Sequence, residues 1–322
     1  MQPPFHITPT ILNLVSEITR LLGHYEGLHA PVPQPQLRRQ NQIRTIQGSL
    51  AIEGNTLDLK QVTAVMEDKR VLGPKKDILE VQNAVQLYAS FPKFNPLRAK
   101  DLLMAHSILM SGLTERAGKF RTGSVGILKG SKVSHLAPPA NRVAVFMDDL
   151  FQFLKVDKNY SELIKSCIFH YEFEFIHPFM DGNGRMGRFW QHLILTKYNS
   201  VFEYIAIESL IKERQDSYYE ALEQSDKQGE STLFIEFSLQ TIKDSLNEFL
   251  ELHSCVIDSP ESRLTLAMAK FRNKDFARKE YIHFIQTIST ATASRDLALG
   301  VSLKMLEKSG AQALTKYRFL RS

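Results

Sequence analysis

Cysteine is nearly absent, with two in 322 residues, Cys167 and Cys255. Each stands in an apolar segment without CxxC spacing, which excludes a disulfide framework or a thiolate zinc site and suits a reducing compartment. Long apolar runs are missing too. No uncharged stretch reaches the ~20 residues that a helix needs to cross a bilayer, and the opening Met-Gln-Pro-Pro-Phe-His lacks the basic-then-apolar pattern of a leader. The expected location is therefore the cytoplasm, with no membrane among the partners. Internal repeats and low-complexity tracts are absent. So is a P-loop: Gly112 and Gly118-Lys119 are one residue off its spacing, and Phe120 stands where Ser or Thr is required.

What is present is a globular composition, 43% hydrophobic, long enough for one large core and a smaller module. The net charge of +5 is uneven. Residues 261–322 hold 12 Lys and Arg against 5 Asp and Glu, so the basic character belongs to the tail and the remainder is slightly acidic.

One stretch concentrates chemistry: His177-Pro-Phe-Met-Asp181-Gly-Asn-Gly-Arg185-Met-Gly-Arg188. Its three glycines predict a tight turn from Asp181 to Gly184 whose successive N–H groups form an anion-binding nest. The run that follows starts a helix whose N-terminal dipole points at the same place. Arg185 and Arg188, spaced i, i+3, are expected to face one side and fork onto phosphate oxygens. Asp181 offers a hard oxygen to Mg²⁺, which is bound by one or two carboxylates plus phosphates. With an unperturbed pKa of about 6.5, His177 is a candidate general base.

These residues match, at every fixed position, the signature HPFxDGNGRxxR, and on them the chain resembles the Fic family. The resemblance implies an α-helical protein adenylyltransferase that moves AMP from ATP to a Ser, Thr or Tyr hydroxyl of a protein. By likeness His177 is the base, Asp181 the Mg²⁺ ligand, and Gly182, Asn183, Gly184, Arg185, Met186, Gly187 and Arg188 the ATP-binding run. Relatives acting as phosphotransferases carry lysine at the place of Gly184, so glycine favours AMP transfer.

Upstream, Ser49-Leu-Ala-Ile-Glu53-Gly54-Asn55 ends a polar helical pattern that starts near Leu37, with Gly-Asn as the stop and Glu53 on the last turn. The run resembles the inhibitory motif (S/T)xxxE(G/N) of many Fic proteins. That likeness implies that Ser49, Glu53, Gly54 and Asn55 are inhibitory, with Glu53 pairing Arg188 in place of the γ-phosphate. In some relatives the same glutamate aligns a water that removes AMP, a second activity to be expected here.

Taken in order, helical spacing marks 8–25, with a break at Ala30-Pro-Val-Pro-Gln-Pro, then 59–70, 78–90 and 97–113. Gly123, Gly126 and Gly130 punctuate β-branched runs between Phe120 and Pro139 and predict a hairpin. The resemblance makes it a flap that clamps the target main chain to main chain, with Val133, Ser134, His135 and Leu136 touching nucleotide or target. A helix follows at 141–156, and an apolar one at 161–176 delivers His177. His170, His192 and Trp190 read as packing. The segment from Ile211 resembles the family's adenine-side helix, with Tyr218 stacking on the purine and Tyr219 beside it. Asp226 replaces an asparagine frequent in relatives. Residues 231–252 form a long striped helix, and 253–260 look like a boundary.

In the tail, helices at 264–272, 277–285 and from Thr290, N-capped by Ser289 or Thr290, precede two short strands around Gly310. Ala-Thr-Ala-Ser-Arg295-Asp-Leu resembles the recognition helix of a winged helix-turn-helix, with Arg295 as a DNA contact. The expected fold is thus mainly α, a Fic-type helical bundle with a β-hairpin flap plus a small C-terminal winged helix-like domain. The expected division is 1–95 (N-terminal helices with the inhibitory segment), 96–255 (catalytic) and 261–322. Expected partners are ATP, a protein target, the chain itself as a modification target, a second copy as homodimer, and DNA. The competing reading is a DNA-binding regulator with the catalytic domain as sensor.

Overall fold

The computed structural model describes residues 3–27, 35–124, 126–129, 132–257, 259–285, 288–310 and 315–320; the side chains of 27, 35, 36, 126–129, 132–136, 252–257 and 269 lie outside the description. The expected break at 30–34 and the tip of the expected wing at 311–314 fall outside it as well.

Chain order is α1 (Pro9–Gly27), α2 (Pro35–Ile52), α3 (Leu59–Met66), α4 (Lys75–Ala89), α5 (Ala99–Leu109), a hairpin of β1 (Gly126–Lys129) and β2 (Lys132–Leu136), α6 (Val143–Val156), α7 (Glu162–Ile176), α8 (Asn183–Tyr198), α9 (Ile207–Glu213), α10 (Gln215–Gln228), α11 (Thr232–Ile257), α12 (Pro260–Phe271), α13 (Arg278–Ile285), α14 (Thr290–Ser302), and a second hairpin of β3 (Leu306–Ser309) with β4 (Lys316–Phe319). The mainly α architecture is as the spacing indicates. Helix ends move inward wherever a turn residue intervenes. The helix expected at 59–70 stops at Met66 because Asp68 turns left-handed (φ 52°).

The chain folds as two compact units, one of Met1–Leu22 with Gln34–Leu246, the other of Gly23–Pro33 with Asn247–Ser322. Two expectations change. Residues 1–95 do not stand apart: α2 packs along α9, α3 and α4, and it buries Ile43, Ile46, Leu50 and Ile52. The expected boundary at 253–260 lies past the division, since α11 stays helical to Ile257 and the units part at 246/247.

In the first unit α7 is buried on nearly every face, as an all-round apolar sequence demands. It lies along α8, and Phe151, Phe169, Phe173, Phe189 and Trp190 interlock there. Each such ring contributes roughly 1.5–3 kcal/mol by burial. The turn between these two helices is the motif, so the tightest packing in the unit frames it. The first hairpin pairs Gly126 with Leu136 and Ile127 with His135, then slips register to pair Leu128 with Val133.

In the second unit Leu264, Ala267, Phe276, Tyr281, Ala293, Leu297, Leu306 and Phe319 form the core. Phe276 bridges to Tyr317 through two backbone hydrogen bonds, adding a third strand position to β3 and β4. Arg263 forks onto Asp296, which also accepts from the Tyr281 hydroxyl. Ser289 caps α14 through the Thr292 N–H, as its type predicts.

Candidate active site

The motif begins where α7 ends. His177 terminates that helix in the left-handed region (φ 48°, ψ 62°), its N–H still bonded to the Phe173 carbonyl. For a non-glycine residue this costs roughly 1–2 kcal/mol, and the bend turns the imidazole out of the helix. Nδ1 lies 3.3 Å from the Glu174 carbonyl, an acceptor only, so the ring proton belongs on Nδ1 and the basic lone pair on Nε2. The carbonyls of Ile176 and His177 both accept from Arg121.

The turn after it is pinned from several sides. Asn183 bonds the Phe179 backbone in both directions at 2.9 Å, so its side chain holds the loop shut and does not reach outward. Gly182 has φ 84°, and a Cβ there would strike Met110 Sδ, so only glycine fits. His106 stacks on Phe179 with ring centres 3.6 Å apart. Its Nδ1 accepts the Gly118 N–H at 2.8 Å, which leaves the proton on Nε2 to donate to the Asp181 carbonyl at 3.0 Å. Burial pushes His106 down to about 4, so it stays neutral and the tautomer is fixed. Helix α8 starts at Asn183, directly behind this turn. Its first N–H groups and its dipole point to the place where the glycines predict an anion site.

The two arginines do not share a target. Arg185 reaches Glu80 Oε1 on α4 and Asp181 Oδ1, both at 3.0 Å, whereas Arg188 reaches Glu53 Oε1 at 2.7 Å and the Ser49 carbonyl at 3.0 Å. The expected common face is corrected by two carboxylates that sit on different elements. Both guanidiniums are buried, and among the described residues Arg185 Nε and Arg188 Nη1 have no acceptor. Burial opposes the charge on Arg188, but Glu53, helped by Tyr218 and Glu174, outweighs it and holds the guanidinium protonated. Met186 and Gly187, expected in the nucleotide run, are turned inward: Met186 is wholly buried, and Gly187 packs on α7, where a Cβ would collide with Glu174.

Glu53 stands in the turn just past α2, one residue beyond the expected last helical turn, with Gly54 at φ 89°. The carbonyls exposed by that helix end are all taken. Arg188 holds Ser49, Lys212 Nζ holds Ala51 at 3.0 Å, and Gln215 holds Ile52 at 2.9 Å. Asn55 donates to Glu80 at 2.8 Å, so the segment carrying Glu53 is tied to Arg185 as well. The Glu53 side chain is 32% exposed, Arg188 1%. A Cβ on Gly184 would collide with Glu53 Oε1: the carboxylate lies directly over the glycine of the cradle.

Val133, Ser134, His135 and Leu136 lie on β2 as backbone; their side chains are outside the description. Tyr218 goes to the core, 1% exposed, its hydroxyl 3.1 Å from His170 Nε2 and its ring among Tyr219, Phe234 and Phe237. It offers no open face to a purine; the neighbouring Tyr219 does have exposed surface. Asp226 accepts from the Tyr171 hydroxyl at 2.9 Å. His170 and His192 are buried and hydrogen-bonded, as packing residues should be, and Trp190 donates to the Pro96 carbonyl. Glu80, His106 and Arg121 are the site residues that sequence reasoning missed. None stands within a motif, and only folding brings them to it.

Among the described residues no three His, Cys, Asp or Glu side chains form a metal cage. Asp181 has an exposed carboxylate, Oδ1 of which accepts from the Gly182 N–H and Arg185. A single half-engaged carboxylate beside an anion cradle fits Mg²⁺ arriving with a polyphosphate.

A family model described as Fic/DOC family matches residues 96–195. Over its full length the chain is 39% identical to a Fic family protein from Desulfovibrio desulfuricans G20, whose crystal structure aligns with a TM-score of 0.74 over 100% of this chain and 99% of that one. Fic-1 (residues 134–508) from C. elegans has the same fold at 20% identity, with a TM-score of 0.63 over 76% of this chain and 73% of that one. Among curated proteins, protein adenylyltransferase Fic of Nematostella vectensis is 28% identical over 68% of this chain and 51% of its own length. Protein adenylyltransferase fic-1 of Caenorhabditis briggsae is 25% identical over 81% and 52%. The chain spans about half the length of these curated relatives.

Proposed function

The chain belongs to the Fic family, and from that premise we propose that it is a protein adenylyltransferase, moving AMP from ATP to a Ser, Thr or Tyr hydroxyl of a protein, with Glu53 as its internal restraint. The observation that carries the reading is the buried Arg188 guanidinium near the start of α8, held by Glu53 yet retaining one nitrogen, Nη1, without an acceptor among the described residues. A donor left unfilled beside a glycine that a carboxylate now covers is what a phosphate site looks like while an internal anion stands in for its ligand.

The chemistry follows from the placement of groups. The target hydroxyl attacks the α-phosphorus; the new O–P bond forms as the bond to the β-phosphate oxygen breaks, and pyrophosphate leaves. The hydroxyl proton passes to His177 Nε2, whose basic lone pair is set by the Nδ1–H to Glu174. The N–H groups of Asn183 and Gly184 and the dipole of α8 receive the phosphates, the Gly182 N–H being taken by Asp181. Asp181 would hold Mg²⁺, which when bound neutralises charge on the phosphates. Arg188 serves the terminal phosphate, and Glu53 competes for it. The hairpin offers backbone N–H and C=O groups to an extended target segment.

Labelling with ATP carrying the isotope at the α- or the γ-phosphate, with Mg²⁺ and cell lysate, tests this. Protein should acquire α-label, more in Glu53→Gly, and His177→Ala should lower it at least ~100-fold, the usual worth of a general base. Label from the γ-position alone would make the protein a phosphotransferase.

For the second unit one observation favours nucleic acid. Thr290, Ala291 and Arg295 are exposed at the start of α14, two small side chains beside an arginine, in a segment rich in Lys and Arg and followed by a hairpin. We propose that this helix docks on duplex DNA through backbone charge. Fluorescence anisotropy with duplex DNA at two salt concentrations should show binding that weakens with salt and with Arg295→Ala; salt-independent binding would exclude it.

A further inference from the structure

Arg121 precedes the first hairpin, is buried, and among the described residues pairs with no carboxylate. It bonds carbonyls instead. Nε donates to His177 at 2.7 Å, Nη2 to Ile176 at 3.2 Å and to Pro138, and Nη1 to Gly123 at 3.0 Å; its own backbone N–H donates to Pro178 at 2.9 Å. The partners fall into two sets. Ile176, His177 and Pro178 are the end of α7, where the base emerges. Gly123 and Pro138 are the two feet of the hairpin, three residues before β1 and two after β2.

A buried guanidinium without a carboxylate is expensive unless all of its donors find oxygens and a field favours its charge. The last carbonyls of α7 supply that field, being the negative end of the helix dipole. The planar fork also dictates geometry: donors fixed in one plane hold the His177 carbonyl and both feet in one arrangement. Those elements must meet across the reacting atoms, the hairpin bringing the hydroxyl and His177 its acceptor.

We infer that Arg121 is a positioning residue that registers the target-binding hairpin on the catalytic histidine. The inference rests on the function proposed above. An error of about 1 Å between hydroxyl and base costs on the order of 100-fold in rate, so loosening either foot should slow transfer without weakening nucleotide binding, which in the proposed function belongs to the start of α8 and to Arg188, neither of which Arg121 touches.

The test compares Arg121→Gln and Arg121→Lys in the Glu53→Gly background. With Mg²⁺ and saturating α-labelled ATP, both should lower the single-turnover rate of label transfer about 100-fold, while calorimetric ATP affinity stays within about threefold. Amide exchange at 126–129 and 132–136 should quicken about tenfold or more, with the first turns of α7 unchanged. Lysine keeps the charge but not the fork, so it should not rescue. Should Arg121→Gln fail to fold, judged by Trp190 emission, Arg121→Lys carries the same readouts. A fully active lysine variant, ATP affinity falling in step with rate, or unaltered hairpin exchange would each overturn the inference. If the Glu53→Gly parent transfers no label, the adenylyl-transfer reading fails by itself, and the exchange measurement still decides whether Arg121 holds the hairpin.

Discussion

Each unit holds an arginine against a carboxylate, and the two pairs are built to different ends. In the second unit Arg263 forks onto Asp296 at 2.6 and 2.8 Å, Tyr281 adds a third bond, and the two side chains are 6% and 1% exposed. In the first, Arg188 reaches Glu53 through one nitrogen, the partner is a third exposed, and Nη1 stays unfilled. A pair sealed on every side fixes a fold. A pair with one spare donor and one end in water can be exchanged for another anion at modest cost, since solvent receives the displaced carboxylate.

Breaking the sealed pair should have the largest effect. Asp296→Ala strands Arg263 and Tyr281 in the core, at a cost of about 3–5 kcal/mol. Far-UV circular dichroism should then show an early loss of helix, while emission from Trp190, the single tryptophan and a reporter inside the first unit, keeps its midpoint. Next comes Glu53→Gly. One charge-assisted hydrogen bond is worth about 1.5–3 kcal/mol, so AMP transfer should rise about 10- to 100-fold, with a fall in melting temperature smaller than that of Asp296→Ala because solvent reaches the vacated end. A destabilisation as large as that of Asp296→Ala would make Glu53 a structural residue and end the comparison.

Acid sharpens the contrast further. Burial pushes His106 down to about 4 and His170 to about 3, while the unfolded chain takes up protons at both near pH 6.5. Their contribution is therefore complete above about pH 6.5 and is lost as pH falls toward 4 and 3, roughly 1 kcal/mol per histidine by pH 5.5. His192 works in the other sense. Burial opposes its charge, but Glu208 prevails and raises its pKa, so its share is present below 6.5 and lost as pH rises through the raised value. Among its described residues the second unit buries no histidine. Thermal melts from pH 7 to 5.5 should lower the Trp190 transition by several degrees and leave the dichroism of the second unit nearly unmoved. The smallest effect is expected from Arg295→Ala. An exposed arginine should change stability by less than about 0.5 kcal/mol, yet DNA affinity should fall and its salt dependence flatten by about one counterion.

Local chemistry was the legible part. Glycines and a capping serine announce turns and helix starts wherever they occur, so the cradle, the hairpin and Ser289 could be read directly. Glu53 was legible only through the resemblance of its run to the inhibitory motif, since a glutamate ahead of a helix stop is by itself an ordinary surface residue. Glu80 and Arg121 carry no such mark. Each is one charged residue among the 75 of the chain, and its role depends on partners as far away as 55 positions for the Arg121–Ile176 bond and 105 for the Glu80–Arg185 pair. Tyr218 shows the same limit from the other side: an aromatic at helical spacing can serve core or ligand, and the choice was made by His170 and Phe234, which the local sequence does not contain. The boundary was misplaced because α11 continues through residues that look like a breaker.

The left-handed backbone at His177 places the proposed base where the fold would be better served by another residue. Asparagine and glycine adopt that conformation more cheaply than histidine, so either replacement should make the protein sturdier as it makes it inert. Stability and catalysis pull opposite ways at this one position. In any lineage released from selection for activity, loss of the histidine runs downhill, and its inactive descendants should melt later than their working ancestor.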